Sequence, residues 1–221
     1  MTESSVDIIE TKQPIKLYYL SFVDVWERYG FYAARNVLVL YMISVLGLTK
    51  SNSYMISSAF SAILYLTPIL GGLLADKYLT PTLTIVFGGV VLSLGYSALA
   101  LPGMHYFYMG LALVTVGSGM FMPNIAGQVA GLYHKNDIRK EGGFSIFYTA
   151  INIGSLFPPL INNWIVRHFG WSGTFYMGSL ALVVAVICFM VIVRHKLIKM
   201  PPEFIGRVLL SLLAVIVAVG V

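Results

Sequence analysis

Six apolar runs, at about 17–46, 54–75, 82–101, 105–131, 144–166 and 172–193, are each long enough to cross roughly 30 Å of hydrocarbon as a helix. Short polar or Gly/Pro-marked turns separate them. A seventh run opens near Phe204 and is still apolar at Val221, about 18 residues, the lower edge of a span. The expected fold is therefore all-α: a polytopic membrane protein of six transmembrane helices plus the start of a seventh. Residues 1–16 read as a cytoplasmic tail, 17–194 as the helical bundle, and 195–221 as a cytoplasmic linker leading into the next helix. A run that remains open at its end suggests a piece of a longer membrane protein.

Composition agrees. Hydrophobic residues make up 58% of the chain and charged ones 10%, with a mean hydropathy of +0.83; a soluble domain carries about 25% charged residues. The lipid bilayer is thus the first partner. A net charge of +5 would suggest nucleic acid in a soluble protein, but here Lys and Arg sit in short loops, and no nucleic-acid partner is expected. Lys12, Lys16, Lys77, Lys135, Arg139, Lys140, Arg194, Lys196, Lys199 and Arg207 fall on one side, against Lys50 and Arg167 on the other. The positive-inside rule puts the first group, and the N-terminus, in the cytoplasm. The first sixteen residues carry Glu3, Asp7 and Glu10 and lack an apolar core and cleavage site, so the first run is retained as a span. Cys188, the one cysteine, excludes an internal disulfide and a Cys-based metal site.

The first run is unusual in carrying charge: Asp24, Glu27, Arg28 and Arg35. At 3.6 residues per turn, Asp24, Arg28, Phe31 and Arg35 share one helix face, with Glu27 beside it. A charge near the bilayer centre costs about 2.5–3.5 kcal/mol on insertion scales, so such a face reads as a functional wall turned to a cavity. The plainer alternative, internal salt bridges that fix a bundle, stays open.

Later runs add polar or small residues. The second ends in Gly71-Gly72-Leu73-Leu74-Ala75-Asp76, where paired glycines allow close helix approach and Asp76 can cap or pair. Tyr65 in the same run reads as a packing tyrosine. The fourth carries Gly117-Ser118-Gly119, Pro123-Asn124, and Gly127 and Gly131 at GxxxG spacing, which implies close packing and a kink. Asn152, expected to be buried in the fifth, needs a partner from a neighbouring helix or a ligand. Catalysis has no support. Nucleophile-elbow, phosphate-loop and zinc-helix patterns are missing, no cofactor is implied, and His105, His134, His168 and His195 lie at helix ends or loops.

Taken together, these motifs resemble the proton-coupled oligopeptide transporters (POT or PTR family) of the major facilitator superfamily, in their N-terminal six-helix bundle. Asp24 to Tyr32 is similar to that family's Glu-x-x-Glu-Arg-Phe-x-Tyr-Tyr motif, 71–76 to its Gly-Gly-x-x-Ala-Asp motif, and 117–156 to its Gly-x-Gly-x-x-Lys-Pro-Asn and Phe-x-x-Phe-Tyr-x-x-x-Asn-x-Gly segments. The resemblance implies proton coupling at Asp24, Glu27 and Arg28, and substrate contacts at Arg35, Tyr32, Phe31, Tyr65, Asn152 and Met122, with Asp76 in a cytoplasmic gate. Three of its departures matter: Asp24 replaces Glu, Phe31 replaces a tyrosine, and Met122 stands where the family has a lysine paired with the helix 1 acids. The expected function is secondary transport of di- or tripeptides by alternating access, with proton linkage weakened by Met122. The alternatives are transport of another small solute without tight coupling, and a non-transporting scaffold. The implied partners are a small peptide, protons and a C-terminal six-helix bundle outside this sequence, and the full-length protein is expected to be a monomer in the inner (plasma) membrane.

Overall fold

The computed structural model describes residues 12–77 and 80–197, and the side chains among them except at 70, 73–77 and 194–197. The described chain folds into α1 (Ile15–Ser44), α2 (Lys50–Lys77), α3 (Pro81–Ala100), α4 (Met104–Ala130) and α5 (Arg139–Leu197). Most of the expected tail and the seventh run lie outside the described residues. α3, α4 and α5 are each long and apolar enough to cross a membrane. α1 holds the four charges, and α2 opens with Ser51, Ser53, Ser57, Ser58 and Ser61. Ser53 and Ser61 direct their hydroxyls back onto the carbonyls of Thr49 (2.9 Å) and Ser57 (2.8 Å), which hides their polarity within the helix.

The two runs expected as separate helices are two helices that meet at Gly170 with no connecting loop, together the 59 residues of α5. A straight helix of that length would reach roughly 88 Å, about three bilayer cores. Gly170 prevents this, with φ 70° and ψ −178°, a conformation that side-chain-bearing residues rarely adopt. The neighbours of α1 show the reversal. In the first arm, a Cβ on Gly154 would meet Val25 O, and Asn162 Nδ2 donates to Ala33 O at 3.0 Å, so this arm runs alongside α1. In the second, Phe175 stacks edge-on against Tyr41 with centroids 5.1 Å apart, while Leu182 lies beside Gly30, so this arm runs back. A turn expected over several residues is concentrated at one glycine, because the helices on both sides remain regular up to it.

α3 packs on the second arm through Ser93, Ser97 and Ser179, whose hydroxyls lie 2.9 Å apart in two pairs. It packs on α4 through glycines: a Cβ on Gly117 would lie 2.7 Å from Gly88 O, and one on Gly110 would lie 2.7 Å from Leu99 Cγ. Such backbone contact lets apolar helices gain dispersion where lipid offers no hydrophobic drive. α2 leans on α4 where Gly71 meets the Gly119 carbonyl. Pro123 supplies no N–H to that carbonyl, four residues earlier in its own helix, which frees it on this face. Pro68 similarly frees Leu64 O, which accepts from Thr67 Oγ1 at 3.2 Å.

The close approach expected of the small residues holds at Gly71, Gly117 and Gly119 and fails at the others. Gly72 and Gly127 have nothing within 4 Å of a would-be Cβ, and Gly131 meets only the carbonyls of Gly127 and Gln128 in its own chain segment, at 3.4 and 3.6 Å. On α4, Gly110 adds a close approach to those of Gly117 and Gly119. Gly127 faces a groove shared with Lys16 and Gln128.

At the end where α1 begins, a polar latch ties residues 12–13 to the α4–α5 connection. Tyr133 donates to Gln13 Oε1 (2.7 Å), Gln13 Nε2 donates to Arg139 O (3.0 Å), and Arg139 Nη1 donates to Lys12 O (2.9 Å). Arg139 also grips Asp137 through Nε (3.0 Å) and Nη2 (2.8 Å), and the hydrogen bonds from its side chain and backbone N–H hold the Asp137 carboxyl down at about 2. Lys12, Lys16, Arg139 and Lys140 thereby share one end of the bundle, as the charge pattern required.

Candidate functional site

The site is built on α1, whose regular spacing brings its charges together. Arg28 Nε lies 2.9 Å from Glu27 Oε2 and 3.6 Å from Asp24 Oδ2, and neither contact is aligned as a hydrogen bond. Asp24 is 1% exposed and Glu27 fully buried, whereas the Arg28 side chain is 13% exposed and Arg35 is open on the surface. The face drawn from helical spacing as one wall is therefore split. The acids turn into the bundle, Arg28 stays largely buried beside them under the first arm of α5 at Gly154, and Arg35 alone of the four is open.

Phe31 lies between the arginines. Its ring centroid is 5.9 Å from the Arg28 guanidinium carbon and 5.7 Å from that of Arg35, close enough for both cations to be drawn to the ring. Tyr32 abuts Phe31 edge-on at 5.2 Å and is half-buried. Beneath Arg35, a crevice of about 10 Å³ is lined by Phe31, Arg35, Phe60, Tyr96 and Leu99. Among the described residues Arg35 has no carboxylate within ion-pair distance.

The remaining candidates stand apart from this cluster. Tyr65 is 74% exposed on α2, so the packing role read for it does not hold. Asn152 is exposed as well, not buried; its helix meets α1 through Gly154, two residues on, which turns Asn152 to a different side. Met122 is half-buried against the apolar core. The side chain of Asp76, in the last turn of α2, lies outside the described residues. The sequence reading missed Tyr96. It is 1% exposed, and its hydroxyl, which has no hydrogen-bond partner among the described residues, interacts electrostatically with Glu27 and Arg28. A lone phenol deep in the most apolar helix was the available signal.

Comparison with known proteins places this geometry in context. The sequence model of the POT family (PTR2) matches residues 82–220. Dipeptide and tripeptide permease A of Edwardsiella piscicida is 32% identical over 224 residues, covering 98% of this chain and 46% of the permease. The protein of that name from Serratia proteamaculans (strain 568) is 34% identical over 220 residues, 97% of this chain and 43% of its own. The chain thus spans less than half the length of these relatives. Among solved structures, a peptide transporter POT in complex with sulfate superposes with a TM-score of 0.79 at 28% identity, over 94% of this chain and 45% of that one. A POT family transporter in complex with 5-aminolevulinic acid gives 0.79 at 26%, over 94% and 46%. Helix order, the α1 charge motif and the family match agree, and this all-helical membrane chain belongs to the POT family.

Proposed function

We propose that this chain supplies the N-terminal bundle, residues 17–194, of a secondary transporter that carries di- or tripeptides across the inner (plasma) membrane by alternating access. Its N-terminus is cytoplasmic, and a second six-helix bundle completes the pocket of a monomer. The observation that carries this reading is the contrast between the two arginines of α1. Arg28 is committed to Asp24 and Glu27, while Arg35 stands open over Phe31 with no acid of its own among the described residues. A guanidinium held this way can grip a peptide's C-terminal carboxylate through two parallel hydrogen bonds. Tyr32, Tyr65 and Asn152 offer further donors and acceptors, and the cluster of Asp24, Glu27 and Arg28 handles protons. Asp76 belongs to the cytoplasmic gate.

The test is counterflow of a labelled zwitterionic dipeptide in liposomes containing the full-length protein. Arg35→Ala should weaken peptide binding by about 10- to 100-fold, the worth of a charge-assisted hydrogen bond, while leaving folded protein in the membrane. Unchanged binding in that variant would remove Arg35 from the site.

A second reading has its own observation. Met122 brings an apolar side chain, packed on the core, to the position where the family pattern that this sequence resembles has a lysine. Uptake would then follow the solute's own gradient, with weak dependence on pH. Met122→Lys should steepen that dependence. Strong accumulation driven by an inward proton gradient with Met122 in place would overturn this second reading.

A further inference from the structure

Tyr96 reaches the α1 charges from α3. Its ring is seated by two glycines where α1 crosses the second arm of α5: a Cβ on Gly30 would lie 3.5 Å from its Cε2, and one on Gly178 would lie 3.7 Å from its Cγ. A phenylalanine would fill the same apolar seat without stranding an oxygen, so packing alone does not call for the hydroxyl. Yet the hydroxyl is buried without a hydrogen-bond partner among the described residues, and the same is true of both carboxylate oxygens of Glu27. A donor with no acceptor and an acceptor with no donor are buried in one neighbourhood, with Arg28 interacting with both.

We propose that Tyr96 is a positioning residue for Glu27, its hydroxyl donating to the Glu27 carboxylate in the conformation in which Arg28 turns outward. The acid then passes from a cation to a neutral donor and is never left bare inside the bundle. Arg28 has a second seat available, since it already stands over Phe31 and is partly exposed. Tyr96 keeps its own proton throughout. The charged groups around it are accounted for. Glu27 and Arg28 face it from α1, with Asp24 behind Arg28 at 3.6 Å and Tyr32 also acting on Arg28. Arg35 shares the crevice, α5 presents Gly178, and α2 and α4 present Phe60, Leu111 and Val114.

This inference rests on the proposed transport reading, and its test separates the two. Full-length protein in liposomes is compared with its Tyr96→Phe variant by thermal stability, by the pH dependence of dipeptide uptake, and by the infrared band of the Glu27 carboxyl group, identified through its loss in Glu27→Gln. Stability should be unchanged or higher, because the variant loses only an unpaired buried hydroxyl. The pH midpoint of uptake should move by about one unit, a tenfold change in proton affinity, and the Glu27 band should shift. An unmoved midpoint together with an unmoved band would overturn the role of Tyr96. If the native protein takes up no peptide, the transport reading fails, and the band alone decides for or against Tyr96.

Discussion

Arg28 faces two enclosed carboxylates, so the buried cluster on α1 sets one cation against two acids. Removing one partner of a buried ion pair costs far more than replacing all of it, because the survivor stays buried and uncompensated. Arg28→Leu should therefore destabilise the protein by about 3–5 kcal/mol, seen as a lower midpoint of thermal unfolding in detergent. Adding Asp24→Asn and Glu27→Gln should recover most of that loss, and failure to recover would show that Arg28 acts through packing instead. These partners were legible in the sequence because all three lie within five residues of one helix, where spacing alone brings side chains together. Tyr96 was not, since its place near the α1 charges depends on how α1 and α3 both pack on the second arm of α5. The spacing argument also could not tell which part of the charged face would be covered, and for that reason it placed the buried acids with Arg28 and the open Arg35 on the same wall.

At the level of the helices, the number, order and approximate limits of the spans were legible from apolar run length. The contacts between them were not, because GxxxG spacing names two positions on one helix face without saying what that face meets. Gly117 and Gly127 make the difference measurable. A Cβ at 117 would be driven to 2.7 Å from Gly88 O, in backbone that has no side-chain freedom to yield. Gly117→Ala should separate α3 from α4 and lower the yield of folded protein. Gly127→Ala meets nothing and should stabilise α4 by about 0.4–1 kcal/mol through lost chain entropy in the unfolded state. A stability curve in detergent for each variant checks both signs. The latch at the end where α1 begins escaped the sequence for a similar reason, since Gln13 and Tyr133 are 120 residues apart. Its acid Asp137 is held at about 2, below the ordinary 3.8. A depressed value means the contribution is complete above the ordinary value and is lost as pH falls through about 2. Pepsin cleavage at this connection should accordingly stay low at pH 4 and rise as pH 2 is approached; cleavage already high at pH 4 would contradict the latch.

Over the whole molecule, the passes are joined unevenly. The two arms of α5, α1, α3 and α4 meet through glycine backbones and serine hydroxyls at several heights. α2 is held differently: Phe60 and Leu64 are buried, and among the described glycine contacts its backbone meets a neighbour's where Gly71 and Thr67 reach Gly119. That contact lies near one end of the helix, while Tyr54 and Met55 stand exposed near the other. In mechanical terms α2 is a lever with its fulcrum off centre. From Gly71 to Lys50 the arm is about 32 Å at 1.5 Å per residue, so a tilt of about 10° would sweep the far tip through about 5 Å while the fulcrum barely stirs. Spin labels at Tyr54 and on α4 should record that asymmetry as a broad distance distribution, and a pair beside Gly71 a narrow one. Equal widths would mean α2 is clamped along its length. A bundle built this way can convert a small slip at one glycine into a large opening at its opposite rim.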